Sequence, residues 1–105
     1  MTKDGYPMEA ELSGIRKWKI RTPQDAIDLV EYIETLWQYA TCGYFVVFNK
    51  SDSIEVKMST AGWSGNEDII GALRDNMMFW VLYWQKSERG GHYTFSITLA
   101  PGEAR

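Results

Sequence analysis

Ile54, Val56 and Met58 alternate with Glu55, Lys57 and Ser59. The same alternation returns where Tyr93, Phe95, Ile97 and Leu99 face Thr94, Ser96 and Thr98. A period of two places apolar side chains on one face of a strand and polar ones on the other. Both segments therefore require a sheet with one buried face, and each has a neighbour to pair with. Tyr44 to Asn49, rich in aromatic and β-branched residues, leads into the first across the turn Lys50-Ser51-Asp52-Ser53. Met77 to Gln85 leads into the second across the polar stretch Lys86 to Gly91. This run could instead prolong a preceding helix, but Asn76 reads as a helix stop and the run is aromatic-rich, which favours a strand. The reading is two hairpins in one four-stranded antiparallel sheet.

Two main helices accompany the sheet. Thr22-Pro23-Gln24-Asp25 is a helix start: a hydroxyl cap, a proline at the first helical position and a carboxylate at the positive end. Ala26, Leu29, Val30, Ile33, Leu36, Trp37 and Ala40 follow a period near 3.6, which predicts a helix from Pro23 to about Tyr39, ended by Cys42-Gly43. Ser64-Gly65-Asn66-Glu67 has the pattern of a capping box, with Trp63 as a staple and Ile69, Ile70 and Leu73 as the buried stripe of a helix ending near Asp75-Asn76. Leu12, Ile15 and Trp18 suggest a short helix within Met8 to Lys19, weakened by Gly14. Met1 to Pro7 is expected to be loose, and Pro101-Gly102 to close the fold. The order is (α)αββαββ, an α+β domain with helices packed on the sheet. Tyr44–Asn49 and Met77–Gln85 are apolar on both faces, so a second cover is expected, from the N-terminal helix or from a partner.

At 105 residues the chain is expected to be a single domain over 1–105, and its net charge of -3 argues against long nucleic acids, which need clustered cations. Arg16, Lys17, Lys19 and Arg21 are a local exception, read as a solvated face. One cysteine, Cys42, leaves no intrachain disulfide and suits a reducing compartment. The longest apolar run, Met77 to Trp84, is too short to span a bilayer. A cytoplasmic protein without a membrane partner is expected.

No residue set spells out a reaction. His92 is the only histidine, and Cys42, Ser87 and Ser96 carry no motif that would make it a catalytic base. One His and one Cys do not complete a zinc site. Glu67 and Asp68 are adjacent, point apart on a helix, and read as carboxylates favoured at a helix start. Gly90-Gly91 reads as a hairpin turn rather than a phosphate loop. No catalytic residue, metal or cofactor is expected. The candidate binding surface joins the Gly62–Glu67 loop to the Arg89–His92 turn, with Trp63, Asn66, Glu67, Arg89, His92 and Tyr93 as its residues. Interface energy concentrates in Trp, Tyr and Arg, and Trp63 and Arg89 fit that type.

The run Ser59-Thr60-Ala61-Gly62-Trp63-Ser64-Gly65-Asn66-Glu67 with Ile69-Ile70, followed by Phe79-Trp80, Trp84 and Arg89-Gly90-Gly91-His92-Tyr93-Thr94-Phe95, resembles a group of small uncharacterised bacteriophage-encoded proteins. The resemblance covers mainly the second half of the chain and implies context rather than chemistry. It implies a non-enzymatic accessory protein that binds a host or defence protein in the bacterial cytoplasm. The alternative is a small-ligand or nucleotide-binding module using Trp63, Asn66, Arg89 and His92. A homodimer stays open.

Overall fold

The computed structural model describes residues 6–38 and 43–99. The expectations for 1–5, for Tyr39 to Cys42 and for Pro101-Gly102 lie outside them. The order is α1 (Glu9–Arg16), α2 (Pro23–Leu36), β1 (Tyr44–Asn49), β2 (Ser53–Ser59), α3 (Ser64–Asp75), α4 (Met77–Tyr83), β3 (Trp84–Glu88) and β4 (His92–Thr98). The fold is α+β, and the four strands form one antiparallel sheet in the order β1-β2-β4-β3.

Register explains the layers. Val56 lies between Val47 and Phe95, Ile54 pairs with Ile97, and Met58 with Phe45. These side chains join a single core with Ile15 of α1, Leu29 and Ile33 of α2, Ile69 and Leu73 of α3, and Phe79 of α4. The helices therefore cover one face of the sheet. The opposite face carries Glu55, Lys57, Thr94 and Ser96, with Tyr44, Val46 and Phe48 exposed along β1. α1 does not cover that apolar column; it packs on α3 instead.

The start of α2 is as its sequence dictates. The Thr22 hydroxyl accepts from the Asp25 amide at 3.2 Å, and the Asp25 carboxylate accepts from the Thr22 amide at 3.1 Å. Its end differs. The helix stops at Leu36, and Trp37 turns extended with ψ 137°. The cause lies 28 residues away, where the Asn66 side chain accepts from the Gln38 amide at 3.0 Å and donates to the Gln38 carbonyl at 2.9 Å. A side chain that satisfies both backbone groups of one residue substitutes for the next helical turn.

Two further expectations are corrected. Met77 to Tyr83 is a helix, not a strand, and β3 begins only at Trp84. Asn76 does end α3, but its side chain also accepts from the Phe79 amide at 3.2 Å and so starts α4. Its amide nitrogen donates to the carbonyls of Ile15 and Trp18, at 2.9 and 3.0 Å. One buried asparagine thus joins the ends of three elements.

Ser64 is not the cap of α3. The capping position is Trp63, without a side-chain cap bond, and the Ser64 hydroxyl pairs with the exposed Tyr6 hydroxyl at 3.1 Å. Ser64→Ala is therefore expected to change stability by less than about 0.5 kcal/mol, as exposed substitutions do. A loss near 1 kcal/mol in chemical denaturation, the size of a lost cap, would restore Ser64 as the helix start.

Candidate functional site

The segment that leads from β2 into the Gly62–Glu67 loop meets the Arg89–His92 turn. Thr60 donates its amide to the Gly91 carbonyl at 3.0 Å, and Ser59 pairs with His92. Gly91 has φ +80°, and a side chain there would run into the Thr60 hydroxyl, so both conformation and space call for glycine. The loop itself is tight: Ala61 and Gly62 both have positive φ, and Thr60 Oγ1 accepts from the Gly62 amide.

Of the candidate residues at this junction only Asn66 is turned fully inward. Asn66 is 1% exposed, and both ends of its amide are spent on Gln38. Its donors and acceptors hold the α2–β1 connection rather than face a partner. Trp63 is half-buried, lies over Gly65 and contacts the Tyr6 ring at 4.8 Å. His92 reaches across the small Ser59 to Tyr44: the rings stack at 5.8 Å, and the phenol oxygen lies 3.2 Å from Nδ1. Tyr93 meets the edge of Trp80 at 6.2 Å. Glu67 and Arg89 are exposed, Glu67 on the first turn of α3 and Arg89 in the β3–β4 turn.

Among the described residues no three His, Cys, Asp or Glu side chains are placed to hold a metal ion. No helix among them is long and apolar enough to cross a membrane. On the open face, Lys50 donates to Glu55 at 3.0 Å, and this bond holds the Glu55 carboxyl below the usual carboxylate range, with Lys57 adding to the effect.

The larger exposed feature lies elsewhere. A helix of seven apolar residues cannot bury every side. Phe79 and Tyr83 point into the core, and Trp80 packs on Phe95 at 5.4 Å under the Arg74 guanidinium. Met77, Met78, Val81 and Leu82 face outward, 68, 57, 72 and 55% exposed. Met78 also lines a surface hollow of about 550 Å³ with Trp18, Lys19, Ile20 and Arg21. Trp18 is fixed there by its indole N–H, which donates to the Asp25 carbonyl at 3.1 Å, and by stacking on Tyr32. Arg16 of the basic run pairs with Glu9 and Asp75, whereas Lys17, Lys19 and Arg21 are exposed and form no ion pair among the described residues. The face is therefore an apolar ridge beside a groove edged by cations.

Sequence reasoning marked Met77 to Gln85 as an apolar run in need of a cover, but it missed the ridge because it took the run for a strand and read Arg16 to Arg21 as a solvated face. The available signal was Asn76, which is as good a helix start as a helix stop. No protein-family model, curated protein or solved structure matches the chain.

Proposed function

We infer that this chain is a non-enzymatic binding protein, and that its partner is a protein docking an acidic amphipathic helix on α4 and the adjoining groove. The observation that carries this reading is the outward exposure of Met77, Met78, Val81 and Leu82, continuous through Met78 with a groove flanked by Lys19 and Arg21. Exposed apolar patches of this kind mark interaction sites. Methionines adapt to an irregular partner surface. An amphipathic helix in a groove is read through apolar anchors at helical spacing, and exposed cations select an acidic polar face. The resemblance to small bacteriophage proteins supplies the setting, a host or defence protein in the bacterial cytoplasm.

The test uses the tagged full chain to capture proteins from bacterial lysate, followed by cross-linking from Lys19. Val81→Asp and the pair Lys19→Glu with Arg21→Glu are compared with Glu67→Ala and Arg89→Ala, each shown to be folded by circular dichroism. The expected result is a partner whose acidic helix cross-links to Lys19. Its capture falls at least about tenfold in the first two variants and persists in the others. Capture that survives Val81→Asp but fails in Arg89→Ala would move the site to the loop junction.

A further inference from the structure

We propose, building on the docking of an acidic helix at α4, that the hollow between Trp18 and Met78 receives one aromatic side chain of that helix, while carboxylates within one helical turn of it meet Lys19 and Arg21. Trp18, Ile20 and Met78 give the hollow its apolar lining, and the two cations complete it. Trp18 and Ile20 are half-buried, whereas Lys19 and Arg21 are exposed. The segment thus turns its apolar side chains toward the body of the protein and its cations to solvent. Neither cation has an ion-pair partner among the described residues, so their charge opposes a basic guest and matches carboxylates. A free small molecule in the hollow would leave Val81 and Leu82 uncovered, but a side chain carried on a helix brings a cover for the ridge with it.

The walls of the hollow differ in stiffness. Trp18 is tied in three ways: its indole N–H donates to the Asp25 carbonyl at 3.1 Å, its ring stacks on Tyr32 at 5.4 Å, and its carbonyl accepts from the Asn76 side chain at 3.0 Å. The same Asn76 side chain starts α4, so the placement of Trp18 relative to Met78 is set before a partner arrives. A wall ordered in advance costs little entropy on binding. Because the one indole donor is spent on Asp25, the ring offers a guest only its apolar surface and its π-system. Met78, unbranched and 57% exposed, can adjust to the guest. A fixed ring beside an adaptable thioether favours an aromatic guest over an aliphatic one of similar size. Rings attract rings both offset-stacked and edge-on, and sulfur attracts ring edges.

Fluorescein-labelled helical peptides test the proposal. They carry glutamate on the polar face, leucine at the outer apolar positions, and phenylalanine, leucine or alanine at one central anchor. Fluorescence anisotropy with the full chain is expected to show the phenylalanine peptide binding on the order of threefold to tenfold tighter than the leucine peptide, with the alanine peptide weakest. Trp18→Leu, shown to be folded by circular dichroism, is expected to erase the preference for phenylalanine over leucine, and Trp18→Phe to retain it. Lys19→Gln with Arg21→Gln is expected to weaken all three peptides alike and to flatten their salt dependence. The free aromatic acid 3-phenylpropionate is expected not to displace the phenylalanine peptide. Equal affinity for the three peptides, lost in Val81→Asp, overturns the aromatic anchor and leaves docking on α4 standing. A phenylalanine preference that survives Trp18→Leu overturns its placement in this hollow. Displacement by the free acid overturns the proposal by making the hollow a small-molecule site, and failure of every peptide to bind overturns it together with the docking of an acidic helix.

Discussion

Phe79→Ala is expected to destabilise the protein by about 4 kcal/mol. Val81→Ala, two positions on, is expected to stay within about 0.5 kcal/mol of the parent. Phe79 is fully buried, with its ring 5.2 Å from Tyr83 and 5.5 Å from Phe95. Removing it empties the contact between α4 and β4, and the surrounding rings cannot close the space. In a domain of this size the melting temperature would fall by on the order of 20 °C. The pair also tests secondary structure. A strand would set Phe79 and Val81 on one face and make their costs alike, whereas a helix separates them. Equal losses in thermal and urea unfolding would return Met77 to Tyr83 to the sheet.

Asn76→Ala is expected to cost about 3 kcal/mol: about 1 for the lost cap of α4 and about 1 for each carbonyl left without its donor. The residue is buried, and its three bonds tie the end of α1, the segment at Trp18 and the start of α4 together. Asn76→Asp separates the contributions. Aspartate can still accept from Phe79 but sets a carboxylate against the carbonyls of Ile15 and Trp18. It is expected to be at least as damaging as alanine. An Asp variant as stable as the parent would mean that the cap alone matters and that the carbonyl bonds carry no weight.

What the sequence made legible depended on whether the signal was local. Thr22-Pro23-Gln24-Asp25 is a complete start signal, and the capping box it predicts is present. The alternation at Ile54–Met58 and Tyr93–Leu99 likewise assigned faces, because polar neighbours reveal a period. Met77 to Tyr83 offered no polar neighbour, so strand and helix patterns were indistinguishable there and the choice fell on the wrong side. The early end of α2 was not legible at all, since the group that sets it, Asn66, lies on α3. Asn66 misled a second time. Its loop setting suggested recognition, but its side chain closes a backbone gap that appears only once α2 and α3 are packed. The contact between the segment after β2 and the β3–β4 turn, through Thr60 and Gly91, depends on the pairing of β2 with β4. The need of Met77–Gln85 for a second cover was legible from its apolar composition, but the outward ridge of Met77, Met78, Val81 and Leu82 was not, because it follows from the helix that was missed.

The outward orientation of α4 underlies both the fold assignment at this segment and the proposed binding role, and methionine oxidation reads it directly. The intact protein is treated with dilute peroxide, and oxidation at each methionine is followed by peptide mass spectrometry. Met77 and Met78 are both exposed, whereas Met58 is fully buried between β1 and β4. Met77 and Met78 are expected to oxidise together, at rates near that of an unfolded peptide, while Met58 stays protected. Protection of Met77 equal to that of Met58, with Met78 alone reactive, would reproduce the alternation of a strand and rule out an outward-facing α4.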